Sequence, residues 1–335
     1  MGKIYNFAIL GCGVISKTHV EALSKIENAK LLGVADVNLA NATAFAEKYG
    51  IKAYQDYDQM LADEKVDVVC VCTPSGWHAP NAIQALKAGK HVVLEKPMAL
   101  NTKDADEIIA ISEQTGKKVT VISQFRFSAD LLKVKNHIEK GDFGKISLCS
   151  LVMKYYRAPE YYSTSNWKGT LKFDGGGALI NQGIHGVDML DFLVGPITET
   201  NGQIATIFHN IEGEDSVVAT IKTQSGALGV IQASTCAYPG FDRRIEINGD
   251  KGYAVLRENK IEKMVINRQE CLVEQLSLTS TSSDNTVMDY TMHKAQIENF
   301  LNAIEGKTAL FVDGKEGRRA LSIIEKVYLS ARQKA

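Results

Sequence analysis

Two short stretches of this 335-residue chain carry side chains suited to acid–base work. Glu95-Lys96-Pro97 follows an apolar run, His91–Leu94, that reads as a strand. Proline imposes an extended conformation on the residue before it, so Lys96 is fixed at a strand end and not carried on a flexible surface helix. An amine in a partly dry cleft has a lowered pKa and trades protons near neutrality. The second stretch is Gly175-Gly176-Gly177-Ala178-Leu179-Ile180-Asn181-Gln182-Gly183-Ile184-His185-Gly186-Val187-Asp188. Its glycines let the backbone pass close to a neighbour, and a helix follows. At about 100° per residue, Asn181, His185 and Asp188 fall within about 60° of one another on an otherwise apolar helix. A buried polar stripe is costly unless its groups are satisfied or used. His185 is therefore either a core histidine held by Asn181 or Asp188, or a catalytic one. No metal is expected, because His185 and Asp188 have no further evident ligands.

A nucleotide would bind near the start of the chain. Gly11-Cys12-Gly13-Val14-Ile15-Ser16 lies between a strand and a helix. Gly11 permits the tight turn. Gly13 lets a pyrophosphate reach the helix amino terminus, where unpaired N–H groups favour an anion. Val14 and Ile15 continue the same loop, and Ser16 stands where a third glycine is usual. Asp36 ends the next strand, about twenty residues on, where an acid binds ribose hydroxyls and repels a 2′-phosphate. NAD is therefore expected over NADP. Thr73 and Pro74 follow a further strand and belong at the cofactor crevice, as does Glu95. His78 has two readings, a contact to cofactor or substrate, or a cap at its helix start.

These residues need a frame. Apolar strands at Tyr5–Leu10, Leu31–Ala35, Val66–Cys72, His91–Leu94 and Val119–Ser123 alternate with helices at Thr18–Ile26, Ala40–Tyr49, Tyr57–Ala62, His78–Ala88 and Asp104–Thr115. This alternation predicts an α/β, doubly wound parallel sheet, a Rossmann domain, over residues 1–122. Past a helix at Leu131–Lys140 the pattern changes to strands at Ile146–Tyr156, Gln203–His209, Val217–Thr223, Leu228–Ala237, Arg243–Asn248 and Tyr253–Leu256, closed by helices at Met292–Glu305 and Gly314–Arg332. This predicts a second, α+β domain over residues 123–335 with an open, mostly antiparallel sheet. The aromatic stretch from Pro159 to Gly177 reads as a functional loop, and Thr279–Asn285 as a polar, mobile one. Apolar alternation over Val217–Ile221 and Leu228–Ala233 suits sheet-to-sheet packing, hence a homodimer or homotetramer.

Composition narrows the class. The net charge is −1, so nothing favours nucleic acid or an anionic membrane. No apolar stretch is long enough to span a bilayer, and the amino terminus enters a strand without an apolar leader. The six cysteines show neither a C-x-x-C pair nor zinc spacing, and Cys70 and Cys72 read as core thiols on one strand face. A reducing cytoplasm is expected.

Together, the glycine loop, Thr73-Pro74, Glu95-Lys96-Pro97 and the G-G-G…N…H-x-x-D helix resemble the Gfo/Idh/MocA oxidoreductases over essentially the whole chain. That family joins a Rossmann domain to a domain built on an open sheet, and acts on sugars, inositols and related polyols with NAD(P). Within it, Thr73-Pro-Ser-Gly-Trp-His78, Tyr156-Arg157-Ala-Pro-Glu-Tyr-Tyr162, Trp167-Lys-Gly-Thr170 and Asp174 to Gln182 look like the UDP-N-acetylglucosaminuronate 3-dehydrogenases. The resemblance implies that Lys96 and His185 are the catalytic pair, with Asn181 beside them where many members carry Asp. It implies hydride transfer from a hydroxyl carbon to NAD, with Lys96 or His185 as the base. Candidates for the substrate wall are Arg126, Tyr155, Tyr156, Arg157, Tyr162 and Trp167, beside Lys96, Asn181 and His185. The alternatives are an inositol or glycoside dehydrogenase, a cofactor-recycling oxidoreductase, and a non-catalytic NAD-binding regulator.

Overall fold

A computed structural model describes residues 3–272 and 289–333, so the expected polar segment Thr279–Asn285 lies outside the described residues. The chain divides into two compact units, Met1–Gln124 with Met288–Arg318, and Phe125–Val287 with Arg319–Ala335.

The first unit holds six parallel strands: β1 (Tyr5–Leu10), β2 (Ala29–Ala35), β3 (Lys52–Ala53), β4 (Val68–Val71), β5 (His91–Leu94) and β6 (Val119–Val121). Their order is β3-β2-β1-β4-β5-β6, the expected doubly wound sheet. β4 is buried along its whole length, since helices cover both faces of such a sheet. The strand order reverses between β1 and β4, which opens a crevice at their carboxyl ends. The first helix spans Val14–Leu23 and not Thr18–Ile26. Gly13 caps it straight off the glycine loop, and the exposed Val14 hides that first turn from the apolar pattern. The helix Thr291–Ile304 belongs to this unit, although it follows the second sheet in sequence. There Gln296 donates to Val121 O (2.8 Å) and accepts from Ser123 N (3.0 Å), bonding directly to the end of β6.

The second unit holds β7 (Ile146–Lys154), β8 (Ile197–Ala205), β9 (Ser216–Thr223), β10 (Leu228–Ser234), β11 (Arg244–Gly249), β12 (Tyr253–Arg257), β13 (Lys260–Ile266) and β14 (Gln269–Glu270), in the order β14-β13-β12-β11-β7-β10-β9-β8. The sheet is mostly antiparallel, but β7 and β10 pair in parallel. The strand expected at Gln203–His209 begins at Ile197 and stops at Ala205. Asp215 stops it by accepting the N–H groups of Ile207, Phe208 and His209 (2.7–3.0 Å), which turns the chain away from β9. One sheet face, with Leu151, Ala219, Ile221 and Ala233, is buried. Gly186 of the helix Ile184–Val194 comes so close to that face that a Cβ would lie 2.6 Å from Leu151 Cδ1. The opposite face leaves Leu148, Val218, Leu228 and Val230 exposed. Among the described residues, no helix is long and apolar enough to cross a membrane.

Two acids pin the Ile184–Val194 helix. Asp188, buried, takes Arg126 Nη2 at 2.7 Å and Nε at 3.0 Å. Asp191 takes Arg319 Nη2 at 2.6 Å. Breaking a buried pair strands one charge, at a cost of about 3–5 kcal/mol. Asp188→Ala is therefore expected to lower the unfolding free energy by about that amount. Urea denaturation checks it, and an unchanged midpoint would show that Arg126 needs no partner there.

Candidate active site

The glycine loop is shaped by contact and by vacant space. Gly11 has φ +100°, and a Cβ on it would lie 2.6 Å from the Cys72 carbonyl oxygen, so only glycine passes between β1 and β4. A Cβ on Gly13 would meet nothing within 4 Å. No side chain caps the helix that Gly13 opens, so its first N–H groups face that vacant space. This is a cradle for an anion. Ser16, buried, takes the third-glycine position and donates its Oγ proton to Gly13 O (2.5 Å). Asp36 accepts Cys12 N–H on Oδ2 (2.8 Å) and Asn38 N–H on Oδ1 (2.9 Å). A carboxylate oxygen has a second lone pair, so both atoms can still accept from a ribose diol. The residues present fit a dinucleotide.

A second cluster links the ends of β4 and β5. Lys96 follows β5, and the Lys96–Pro97 bond is cis. His78 is buried, with Nδ1 2.6 Å from Pro97 O and Nε2 2.8 Å from Thr73 O. It thus braces the loop after β4 against the turn after Lys96. Burial pushes its pKa down, against the pull of the two carbonyls. Thr73 Oγ1 also accepts from Asn81 (3.3 Å). Glu95 accepts the Lys96 N–H (3.2 Å) and lies 2.8 Å from His19 Nε2.

The third cluster lies in the second unit. Residues 178–183 form a π-helix, and the α-helix starts only at Ile184. The 100° spacing therefore does not hold for Asn181. Asn181, Gln182 and His185 are only partly buried, whereas their helical neighbours are buried almost throughout, Asp188 among them. Glu214 anchors the turn by accepting Leu179 N–H (2.8 Å), Gly177 N–H (3.0 Å) and the Tyr328 hydroxyl (2.9 Å). Gly177 leaves no room for a side chain, since a Cβ would lie 1.9 Å from Glu214 O. Asn181 donates to Asp174 and accepts from Gln182 Nε2 (2.8 Å). Gln182 accepts Arg157 Nη2 (2.9 Å) and donates to Tyr161 Oη (2.9 Å). Lys168 Nζ stands 3.8 Å from the centre of the Tyr161 ring, and burial lowers its pKa against the pull of Asp174. The His185 ring packs edge-on against the Phe125 ring at 5.2 Å, and Arg243 stacks 4.6 Å from the Phe125 ring.

The structure thus gathers the sequence candidates into groups. Gly11, Gly13, Val14, Ile15 and Asp36 frame the cradle, while Thr73, Pro74, His78, Glu95 and Lys96 occupy the neighbouring strand ends. Arg157 joins Asn181, and Trp167 belongs to the adjoining loop, where its carbonyl accepts the Thr170 hydroxyl (2.7 Å). Tyr156 packs edge-on against Tyr238 at 5.2 Å. Arg126 is buried with its guanidinium on Asp188. Sequence reasoning missed His19, His293 and Glu214. His19 left a visible signal, an imidazole on the apolar face of a helix. Glu214 left none, because its partners are backbone N–H groups and a tyrosine distant in sequence.

Comparison with known proteins adds the family. Residues 5–123 match the oxidoreductase family with NAD-binding Rossmann fold, and residues 131–255 match the GFO/IDH/MocA C-terminal domain. The chain is 30% identical to an inositol 2-dehydrogenase of Rhizobium meliloti, over 98% of this chain and 97% of that one. It is 32% identical to a myo-inositol 2-dehydrogenase of Thermotoga maritima over 78% of each. A crystal structure of the WlbA dehydrogenase from Bordetella pertussis, in complex with NADH and UDP-GlcNAcA, superposes with a TM-score of 0.89 at 32% identity, covering 99% of this chain and 98% of that one. The chain is an oxidoreductase belonging to the Gfo/Idh/MocA family, with an NAD-binding Rossmann domain and the family's C-terminal domain.

Proposed function

We propose that this chain oxidises one hydroxyl carbon of a UDP-sugar of the N-acetylglucosaminuronate type, with NAD as hydride acceptor. The observation that carries this reading is the wall around Asn181. It brings two cations, Arg157 and Lys168, to the Tyr161 ring, with Asp174 on Asn181 and Glu214 on the turn beneath. Cations and ring faces suit an anionic sugar. The resemblance to a dehydrogenase bound to UDP-GlcNAcA supports the same class.

NAD, held at the glycine loop and Asp36, supplies the acceptor for a hydride leaving with its electron pair. Lys96 and His185 divide the proton work. One accepts the hydroxyl proton, and the other hydrogen-bonds the oxygen as it becomes a carbonyl. The Asn181 amide takes no proton and orients the sugar by hydrogen bonds. Arg157, Tyr156 and Trp167 belong to the sugar wall, and Arg126 acts through Asp188, which holds the helix of His185. Identity to inositol dehydrogenases favours a second reading, in which the substrate is an uncharged polyol. The exposed sheet face with Leu148, Val218, Leu228 and Val230 is the contact of a homodimer or homotetramer. The six free thiols suit a reducing cytoplasm.

Three measurements follow. NADH formation, read by absorbance, is expected with UDP-N-acetylglucosaminuronate and not with myo-inositol. Lys96→Ala and His185→Ala are each expected to cut kcat by about 10²–10⁴-fold. Turnover with inositol alone would replace the substrate and keep the chemistry, whereas full turnover in Lys96→Ala would remove the core of the proposal. Asp36→Ala is expected to weaken NADH binding roughly tenfold or more, since hydrogen bonds to a charged group are worth about 1.5–3 kcal/mol each. Titration followed by fluorescence reads it, and equal NADH and NADPH affinities in the unaltered protein would contradict the role of Asp36. Sedimentation should show a multimer that Val230→Lys dissociates, and a monomeric parent protein would rule the sheet contact out.

A further inference from the structure

We infer that His19 and Glu95, backed by His293, form a buried ion pair that positions Lys96 through its backbone N–H. The inference rests on the reading that Lys96 is catalytic. Three elements supply the groups: the Val14–Leu23 helix, the end of β5, and the Thr291–Ile304 helix. His19 Nε2 lies 2.8 Å from Glu95 Oε1, and Glu95 Oε2 accepts the Lys96 N–H at 3.2 Å. All three acid–base groups are buried. His293 Nε2 faces Glu95 Oε1 from 3.8 Å, beyond hydrogen-bond reach, and its ring meets that of His19 edge-on at 5.6 Å.

Charge in this pocket is fixed by what surrounds it. Burial opposes a proton on His19. The Cys72 and Cys70 sulfurs and the Glu95 carboxylate outweigh it and hold the imidazole well above its ordinary range. Cys72 is itself pushed up to about 11 by burial, so near neutrality it is a thiol whose sulfur lends the imidazole no charge, and the Glu95 carboxylate at 2.8 Å is the charge left to hold the proton. Burial also favours the neutral acid at Glu95, yet the His19 imidazole at 2.8 Å holds it well below the usual carboxylate range. His293 is lowered by burial and stays neutral, with Asp289 acting on it from outside the pair. His78, also buried and lowered, feels Glu95 and Lys96 from the side of the β4 loop. Glu95 therefore adds stability above the ordinary glutamate range and loses it as pH falls through its depressed value. His19 adds stability below the ordinary histidine range and loses it as pH rises through its raised value. The pair is intact across the neutral window between.

The same three side chains offer donor atoms within 4.8 Å of one another, which raises a metal ion as the rival occupant. The short contact speaks against it. Two donors on a tetrahedral zinc with bonds of ~2.0–2.1 Å stand about 3.4 Å apart, whereas His19 and Glu95 sit at the 2.8 Å of a charge-assisted hydrogen bond.

The test uses the NADH-bound full chain. Nitrogen NMR of His19 is expected to show an imidazolium at pH 7.5, lost in Glu95→Gln. In His19→Asn the stranded carboxyl takes up a proton sooner, so the acid limb of kcat is expected to move up by about one pH unit or more. The double variant His19→Asn/Glu95→Gln has no carboxyl to protonate and should lose that shift. Glu95→Gln should keep more turnover than Glu95→Ala, because the amide still accepts the Lys96 N–H. Thermal melts establish that each variant is folded, and Glu95→Gln carries the test if His19→Asn is not. A neutral His19 at pH 7.5, an unmoved acid limb, or one zinc per chain by elemental analysis would each overturn the inference. The His19 signal does not depend on turnover, so failure of the ion pair is told apart from failure of the Lys96 reading, which full turnover in Lys96→Ala would show.

Discussion

A carboxylate taken out of water must find its donors inside the protein, and this requirement organises the molecule. Glu95 meets His19, Asp188 meets Arg126, and Glu214 meets two backbone N–H groups and a tyrosine hydroxyl. Asp36, nearer the surface, meets the N–H groups of Cys12 and Asn38. An uncompensated buried charge costs several kcal/mol against a total stability of about 5–15 kcal/mol. Each match therefore fixes a backbone segment almost as firmly as the apolar core does. The segments so fixed are those that carry the candidate chemistry: the glycine loop, the turn at Lys96, and the helix of His185.

The arrangement bears on preorganisation. Catalytic groups act best when their geometry is set before substrate arrives. Asn181 sits on a π-turn, a rare conformation found mostly as single turns. Here Glu214 supplies acceptors from outside the turn, and the tight fit at Gly177 keeps it in register. Asn181, Gln182 and Arg157 then form a chain of hydrogen bonds in which each member limits its neighbour's rotamers. The anchor Glu214 is buried, and Asn181 and Gln182 on the turn it holds are partly exposed.

Much of this was legible in the sequence, for local reasons. β1, β5 and the helices Tyr57–Ala62 and Gly314–Arg332 lie where the pattern places them, because β1 and β5 are apolar runs stopped by Gly11 and Pro97, Asp56 caps the first helix and Gly314 opens the second. The shape of the glycine loop was legible because it depends on backbone, and glycine announces backbone demands. What was hidden depends on long-range partners. Nothing near Asp188 foretells Arg126, and nothing near β6 foretells that Gln296 will hydrogen-bond to it. β8 was misplaced because its first half, Thr198 to Asn201, is polar, while the apolar Ile207 and Phe208 beyond it belong to a loop drawn round Asp215. The parallel pairing of β7 with β10 was equally hidden, since hairpin turns report only on neighbours in sequence.

The same distinction explains why family membership is easier to read than substrate. A dinucleotide is recognised by N–H groups, a glycine turn and one acid, and few sequences satisfy that set. A sugar is recognised by side chains that also have packing duties. Arg157 stacks on Tyr155 and Tyr161 and bonds Gln182, so its charge serves the fold whether or not a ligand is present. Specificity in such a wall comes from the charge left over after internal pairing. Around Asn181, Arg157 and Lys168 stand near Asp174, with Glu214 on the turn beneath, so a substrate meets a mixed set of charges. The balance of those groups, more than the shape of any one of them, is what would separate an anionic sugar from a neutral polyol on this scaffold.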